Sequence, residues 1–385
     1  MNMSQIFAFA ATMIASAATG LSGCAGTPGE VVCYAGSNAG SNLPPEQREA
    51  FRTLAVNTGD GSFRELAVEK GLEGTTYFAL NSDNTLLYTI SRGDIRNGTP
   101  SMLMCYRIVG DKVERDWEIG LPCEAPCHIS LSPDGTKVAF AAYVSATAGI
   151  VDVQTKKIAS VVHEGKGPRT DRQDKAHAHC AFFTPAGDRV GVVDLGIDQV
   201  RFYDLGMNLD DSMTITVEPG LGPRHAVFSP DGKFMFIVHE LGNAVSSYRF
   251  DGRKFEFIET KSILPADFTG ETKAAAIKLT ADGRILMASN RGHDSIAFFA
   301  VDAATGKLEL KNIAKLAGRF PRDFELVPGE KFMIVGHKMS NEIQMYAFDR
   351  EKCTLTPVGS PLKAFRPLCF KFGAKLNSVA SASRQ

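Results

Sequence analysis

The hydrophobic and polar positions of this chain form a repeating pattern. Each repeat has a short apolar stretch, a turn, and a second apolar stretch that ends in polar residues, as in residues 222–241. The turns are Ser82-Asp83-Asn84, Pro133-Asp134-Gly135, Pro185-Ala186-Gly187, Pro230-Asp231-Gly232, Ala281-Asp282-Gly283 and Pro328-Gly329-Glu330. The middle residues of successive turns are 51, 52, 45, 51 and 47 positions apart. Short strands that repeat about every 40 to 50 residues predict the blades of a β-propeller.

Both ends of the chain carry strands that these six repeats leave unpaired. Residues 366–372 look like the first strand of a seventh repeat, whereas 31–34, 51–56 and 63–68 are apolar stretches that no first strand precedes. Joining the two ends in one sheet removes two open edges that would invite aggregation. We therefore predict an all-β fold, a seven-bladed β-propeller over residues 31–373 whose last blade is shared between the N- and C-terminal strands. A flexible tail is expected at 374–385.

Composition agrees with this fold and excludes some functions. The 36 glycines and 25 phenylalanines among 385 residues suit many tight turns and short strands. A net charge of -1 argues against a nucleic-acid-binding protein, which would normally show a basic face. After residue 24, no stretch is long and apolar enough to cross a bilayer.

The first 24 residues have a different character from the repeats. An apolar segment, residues 6–18, has the length of a secretory signal and leads to Leu21-Ser22-Gly23-Cys24, which resembles a bacterial lipoprotein processing site. We predict a leader at 1–24, lipidation of Cys24, a linker at 25–30, and a cell-envelope or periplasmic location. No Lys or Arg precedes the apolar segment, and the alternatives are a misassigned start and a cytoplasmic protein.

The eight cysteines leave the compartment open. No Cys-x-x-Cys pair is present, and Cys123 and Cys127 could form a disulfide in an oxidising compartment. The cysteines within apolar strands are expected to be buried thiols, and they are Cys33, Cys105, Cys180 and Cys369.

Counting from the turns collects charged residues on one face of the predicted ring. The start of a first strand and the end of a second strand lie at the same end of a hairpin. The sixth residues before the turns are Thr76, Cys127, His179, Arg224, Ala275 and Arg322. The eighth residues after the turns are Arg92, Tyr143, Leu195, Glu240, Arg291 and Lys338. Several cations with one carboxylate at the mouth of a channel favour a site for an anionic small molecule, because arginine binds carboxylate and phosphate through a fork of donors. The alternative is that these are solvated surface charges.

Several motifs resemble those of the seven-bladed propeller lactonases of the 6-phosphogluconolactonase type, whose relatives include the carboxy-cis,cis-muconate cyclases. The resemblance covers roughly residues 31–373 and rests on repeats in the order found above. The matching segments are residues 167–179, Asp194-Leu-Gly-Ile-Asp198, Gly222-Pro-Arg-His225, Glu240-Leu-Gly-Asn243, Ser289-Asn-Arg-Gly-His-Asp-Ser-Ile296 and Phe320-Pro-Arg-Asp-Phe324.

The resemblance implies a lactonase and places the family's site residues on this sequence. The implied catalytic residues are His179, Arg224, Glu240 and Arg291. We add as substrate-binding residues His177, Arg322, Lys338, Arg92 and Asp194. Two departures from the family pattern are Ala276, where a glutamate is usual, and His239, where an asparagine is usual.

A lactone is an activated ester, so its hydrolysis needs a positioned water, a base, and donors for the developing oxyanion. Either Glu240 or His179 can be the base, and Arg224 and Arg291 can hold the oxyanion. We expect no metal, because His177-x-His179 lacks the further ligands that zinc sites supply, and no other cofactor. The expected partner is a small anionic lactone bound by a monomer, with membrane contact only through an N-terminal lipid. The alternatives are a lactone-forming cyclase and a non-catalytic binding propeller.

Overall fold

A computed structural model describes residues 29–38, 44, 48–72, 74–93 and 98–376 of the chain. These residues form seven four-stranded antiparallel sheets, with a single turn of 3-10 helix at Asp211–Met213. The strands of the N-terminal half are β1 Glu30–Ser37, β2 Glu49–Asn57, β3 Phe63–Lys70, β4 Thr75–Leu80, β5 Leu86–Ser91, β6 Met102–Val109, β7 Lys112–Gly120, β8 Pro126–Leu131, β9 Lys137–Ala142, β10 Thr147–Asp152, β11 Ile158–Val162, β12 Ala178–Phe183, β13 Val190–Asp194 and β14 Gln199–Tyr203. Those of the C-terminal half are β15 Ile215–Thr216, β16 Pro223–Phe228, β17 Phe234–His239, β18 Ala244–Phe250, β19 Phe255–Ser262, β20 Lys273–Leu279, β21 Ile285–Arg291, β22 Ser295–Val301, β23 Leu308–Lys315, β24 Pro321–Leu326, β25 Phe332–His337, β26 Glu342–Asp349, β27 Thr354–Lys363 and β28 Pro367–Lys375.

The sheets are the blades of a closed propeller. Blade 1 is β4–β7, blades 2 to 6 follow in groups of four strands, and blade 7 has the order β28-β1-β2-β3. The first strand of each blade contacts the first strands of its two neighbours, and β28 contacts both β24 and β4. The predicted seven-bladed fold with a shared last blade is therefore confirmed. The pairing of Cys33 with Phe372 and of Tyr34 with Lys371 joins the two ends of the chain.

The turns that revealed the repeat are stabilised by their own side chains. In the fourth repeat the carboxylate of Asp231 accepts hydrogen bonds from the Ser229 hydroxyl (2.7 Å) and the Lys233 backbone N–H (3.1 Å). Gly232 follows with φ of +70°, a conformation that glycine adopts without steric cost. Asp134 and Asp282 make the same contacts in their own repeats. This local chemistry explains why the turn, rather than the strands, is the most recognisable part of each repeat.

The hydrophobic core lies between the blades. Seven clusters of buried apolar side chains each join two neighbouring blades, and the one that closes the ring brings Tyr34 and Cys369 against Phe78. Cys33, Cys105, Cys180 and Cys369 are buried, as predicted. Because each face of a blade is covered by its neighbour, the strands hold their ends rigidly at the two mouths of the central channel.

The ends of the propeller differ slightly from the predicted limits. Strand β1 begins at Glu30 and β28 ends at Lys375, so strand structure includes one residue of the expected linker and two of the expected tail. The predicted leader and its lipidation site, Cys24, lie outside the described residues. Within the described ranges, no helix has the length and apolar character needed to cross a membrane.

Candidate active site at the mouth of the channel

A β-bulge at the start of each first strand places a side chain at the channel mouth. The register of pairing shifts between Ala178 and Cys180 in blade 3, and an equivalent shift occurs in the first strands of the other five blades that have the turn motif. The sixth residue before each turn lies within these irregular segments. A bulge bends the strand and re-aims the extra side chain, which is why bulges are common beside active sites.

A cavity of about 370 Å³ lies at this mouth. Nine of the twelve positions reached by counting from the turns line it, and these are Thr76, Arg92, Cys127, Tyr143, His179, Glu240, Arg291, Arg322 and Lys338. The other residues on its wall are Asn38, Ala125, Pro126, Arg172 and Leu368. Hairpins of equal length bring residues of blades 1 to 6 to one place, and blade 7 adds Asn38 and Leu368.

Glu240 is the centre of an ion cluster in this cavity. Its Oε2 atom accepts a hydrogen bond from Nε of Arg224 at 3.0 Å and lies 2.8 Å from Nη2 of Arg291. Its Oε1 atom lies 2.6 Å from Nη2 of Arg172. The side chains of Arg224, Arg291 and Glu240 are only 2%, 5% and 5% exposed, whereas that of Arg172 is 21% exposed. One carboxylate thus holds three guanidinium groups in fixed positions.

The electrostatics of this cluster keep Glu240 ionised. Burial alone would raise the pKa of the Glu240 carboxyl, but Arg291 and Arg224 beside it hold that pKa well below its usual range. Burial and the neighbouring Arg322 and Arg291 lower the pKa of Arg224 to about 9, so this guanidinium is still charged at neutral pH. A carboxylate so strongly stabilised as an anion, with both oxygens occupied, is a weak general base.

His179 has the opposite environment. Burial, reinforced by the positive charge of Arg224, lowers the pKa of His179 well below 6.5, so the imidazole is neutral at neutral pH. Its Nδ1 atom is buried and has no hydrogen-bond partner among the described residues. The ring lies edge-on to Tyr143, with the ring centroids 5.7 Å apart. His179 lines the cavity and its neutral imidazole has a lone pair that can accept a proton, whereas both oxygens of Glu240 are occupied by guanidinium groups.

A second group of cations lines the cavity on the side of blades 6 and 1. In the described part of the chain, no carboxylate is within ion-pair distance of Arg92, Arg322 or Lys338. Burial and the positive charges of Arg322, Arg291, Arg366 and Arg92 lower the pKa of Lys338 to about 8. Burial and the charge of Arg291 likewise lower the pKa of Arg322. These cations are therefore buried close to one another, and an anion bound among them would offset both the burial and the repulsion.

Two residues predicted to bind substrate lie outside the cavity. The ring of His177 stacks on Tyr143 at 4.3 Å, its Nδ1 atom lies 3.0 Å from the Tyr143 carbonyl oxygen, and its Nε2 atom lies 3.2 Å from Asp174. Asp194 is fully buried and accepts hydrogen bonds from the backbone N–H groups of His177 (2.7 Å) and Gly196 (2.9 Å). Both side chains already make polar contacts with other residues of the protein, so we interpret both as supports for the wall of the cavity.

Two polar residues of the wall could not be found by counting from the turns. Arg172 belongs to the long connection between β11 and β12, and the only sequence signal for it is its place in the segment 167–179. Asn38 follows β1 in blade 7, whose first two strands come from opposite ends of the chain and therefore share no turn. Arg224 was found by counting, but it lies behind Glu240 rather than on the wall.

The structure also bears on the predictions for the cysteines and for a metal site. Cys123 and Cys127 are free thiols, and Cys127 lies on the wall, where its Sγ is 3.3 Å from the His179 carbonyl oxygen. Burial raises the pKa of the Cys127 thiol to about 11, so it is protonated at neutral pH. Across the described ranges, no three His, Cys, Asp or Glu side chains are grouped so that they could hold a metal ion.

Comparisons with known proteins agree with this fold. The family described as "Lactonase, 7-bladed beta-propeller" matches residues 33–372. The 6-phosphogluconolactonase of Bacillus subtilis (strain 168) is 32% identical over 335 residues, which cover 84% of this chain and 94% of the relative. The periplasmic gluconolactonase PpgL of Pseudomonas aeruginosa superposes with a TM-score of 0.81 at 25% identity, covering 89% of this chain and 99% of that one. A solved protein from Lactobacillus plantarum gives a TM-score of 0.80 at 28% identity, with the same coverage.

Proposed function

The chain belongs to the family of seven-bladed β-propeller lactonases, and we propose that it hydrolyses a sugar lactone that carries an anionic group. The first substrate to test is 6-phosphoglucono-δ-lactone, because the relative from Bacillus subtilis is named a 6-phosphogluconolactonase. The family match and this relative support lactonase activity, and the cations of the cavity support an anionic substrate.

The observation that carries the proposal is the division of charge within one cavity. Near blades 2 to 5, a neutral imidazole lies beside guanidinium groups that Glu240 holds in position. Near blades 6 and 1, Arg92, Arg322 and Lys338 have no carboxylate partner among the described residues. An anionic ligand on the second side would supply the missing counterion, while an ester group on the first side would meet a base and oxyanion donors.

In the proposed mechanism, His179 takes a proton from a water molecule as the water oxygen attacks the lactone carbonyl carbon. The carbonyl oxygen becomes an oxyanion, which Arg291 stabilises together with the positive field of Arg224. When the ring C–O bond breaks, the leaving alkoxide takes the proton back from His179, which regenerates the neutral imidazole. The product is the open-chain hydroxy acid. An oxyanion that forms beside His179 favours the imidazolium, so the pKa of His179 rises as the water attacks.

Glu240 has an electrostatic role in this mechanism. Its carboxylate orients Arg224 and Arg291, and both arginines are further fixed by backbone carbonyl groups. Nη1 of Arg224 donates to the Ala275 carbonyl at 2.7 Å, and Nη2 of Arg291 donates to the Ala274 carbonyl at 2.6 Å. Donors fixed before the reaction stabilise charge without reorganisation during it. Ala276 is buried in the core between blades 5 and 6, so the absent family glutamate leaves no gap in this ion cluster.

The location of the protein affects which lactone it meets, and we propose export through the 1–24 leader. The apolar segment and Leu21-Ser22-Gly23-Cys24 motivate this proposal, and the relative from Pseudomonas aeruginosa is described as periplasmic. An exported enzyme would meet unphosphorylated or carboxylated sugar lactones rather than cytosolic sugar phosphates. Mass spectrometry of the native protein decides the point, since an intact N-terminal Met1 would contradict cleavage and lipidation at Cys24.

A hydrolysis assay tests the function directly. Purified protein is mixed with 6-phosphoglucono-δ-lactone or with glucono-δ-lactone, and acid release is followed in a pH-stat against the spontaneous rate. We expect hydrolysis of both, with a lower KM for the phosphorylated lactone. Binding of the product acids without any acceleration of hydrolysis would support the non-catalytic alternative and contradict the lactonase proposal.

A further inference from the structure

Arg172 reaches the cavity in a different way from the other site residues. It belongs to the long connection between β11 and β12, whereas the other site residues lie in a blade strand or directly beside one. Its Nη2 atom lies 2.6 Å from Oε1 of Glu240 and 3.3 Å from the hydroxyl oxygen of Tyr143. Burial would lower the pKa of Arg172, but the charge of Glu240 raises it above the ordinary value, so the guanidinium is always charged. Arg172 therefore adds a permanent cation on the side of the cavity where His179 lies.

The hydrogen-bond donors of Arg172 are less occupied than those of its neighbours. Arg291 donates through both Nε and Nη2 to backbone carbonyl groups, and Arg224 donates through Nε to Glu240 and through Nη1 to a carbonyl group. Arg172 uses Nη2 for both of its contacts, and its Nε and Nη1 atoms have no hydrogen bond to the described residues. A guanidinium carries five N–H donors. Arg172 can thus hold Glu240 and an oxygen of a ligand at the same time.

The connection that carries Arg172 is braced along its length. Nε2 of Gln173 donates to the Leu195 carbonyl at 2.9 Å, and the Gln173 backbone N–H donates to the Arg169 carbonyl at 2.6 Å. Lys175 extends from the same connection and donates to the Val144 carbonyl at 2.7 Å. At its two ends, Asp194 bonds to His163 through one oxygen and to the His177 backbone through the other. The position of the guanidinium is therefore fixed before a ligand arrives.

We propose that Arg172 is a substrate-binding residue that recognises the lactone carbonyl, and the carboxylate formed from it, through its Nε and Nη1 donors. This inference rests on the proposed function and deepens it. The cavity then has two separate recognition sites, with Arg172 binding the reacting end near blades 2 to 4 and Arg92, Arg322 and Lys338 binding the remote anion near blades 6 and 1. A ligand with only the reacting end would use the first site alone.

Two product acids, one without and one with a phosphate group, distinguish the two recognition sites. Binding of D-gluconate and of 6-phospho-D-gluconate is measured by isothermal titration calorimetry with the wild type and with Arg172→Gln, Arg172→Lys, Arg322→Gln and Lys166→Gln. We expect Arg172→Gln to weaken both acids by the same factor, about 10- to 100-fold, as for the loss of a charge-assisted hydrogen bond. Arg322→Gln should weaken the phosphorylated acid selectively. Lys166→Gln removes the same charge from an exposed position on the same connection, outside the cavity and without a side-chain contact to the described residues, and should change neither affinity.

The two arginine variants distinguish ligand binding from support of Glu240. Arg172→Lys keeps a cation for Glu240 but loses the fork of donors, so it should fold like the wild type and still bind both acids more weakly. Wild-type affinity for D-gluconate in Arg172→Gln or, should that variant not fold, in Arg172→Lys would overturn the inference. If the wild type binds both acids but hydrolyses neither lactone, the proposed function fails and the role of Arg172 is still decided by these affinities. If the wild type binds neither acid, the proposed function and the proposed role of Arg172 both fail.

Discussion

Nε of Arg224 donates to Oε2 of Glu240 across 3.0 Å, and both side chains are almost completely buried. A buried ion pair of this kind is costly to desolvate and is a poor source of stability by comparison with well-packed apolar side chains. Its presence beside a cavity is better explained by function, because the carboxylate fixes the positions of cations that would otherwise repel one another. The pair also makes the site sensitive to the loss of either partner.

Glu240→Gln tests the role of this carboxylate. We expect kcat to fall by about 10², as for the loss of a preorganised electrostatic contact in other active sites. The variant should also unfold more easily, because breaking one partner of a buried pair costs about 3–5 kcal/mol. Kinetics with the substrate identified by the hydrolysis assay and urea unfolding measure the two effects. Glu342→Gln is a control, since Glu342 is a half-buried acid outside the cavity that pairs with the exposed Lys363 on the outer strand of blade 6. Wild-type turnover in Glu240→Gln would show that the ion cluster is only structural.

The pH dependence of the reaction tests the role of His179. Its pKa is lowered, so the imidazole stays neutral as the pH falls below 6.5 and is protonated only well below that value. Because kcat/KM reports the ionisation of the free enzyme and of the free substrate, we expect kcat/KM for glucono-δ-lactone, which carries no titrating group, to stay level from pH 7 to below pH 6. An acid limb centred near pH 6.5 would contradict this assignment. His179→Gln should lower kcat by about 10²–10⁴, the usual contribution of a general base.

The sequence predicts the ring and most of the site because the repeat fixes both. A hairpin of constant length puts His179 and Arg291 at the same end of their blades, whatever their neighbours are. Strand alternation, however, suggests that His177 and His179 point the same way, and the bulge between Ala178 and Cys180 breaks that alternation. Arg172 lies on a long connection, whose path depends on contacts with Leu195 and Val144 that no local pattern encodes. The repeat therefore does not predict the positions of side chains in long connections or at bulges.

The pKa of Lys338 predicts how anion binding responds to pH. Its cation is lost as the pH rises through about 8, because burial and the positive charges around it favour the neutral amine. Affinity for 6-phospho-D-gluconate should therefore fall above pH 8, by at most about tenfold per pH unit for one linked proton. The phosphate is already doubly ionised there, since its second pKa is about 6. Calorimetry between pH 7 and 9.5 measures the slope. Lys338→Arg keeps its charge and should flatten it, and an equal slope in that variant would rule out Lys338 as the titrating group.

Closure of the ring through blade 7 can be tested at Gly36 in β1. A Cβ atom at this position would lie 2.5 Å from the Thr75 carbonyl oxygen and 2.7 Å from Sγ of Cys369, so a side chain has no room between β1, β28 and blade 1. We expect Gly36→Val to lower the free energy of unfolding by on the order of 1–3 kcal/mol, the usual cost of overpacking, or to prevent folding. Gly120→Val is the matched control, because a Cβ atom there has open space around it at the outer edge of blade 1. Urea unfolding of both variants decides the point. If the two unfold at the same midpoint as the wild type, the contact between the terminal strands contributes little, and the stability of the propeller must come from the six blades formed by consecutive chain.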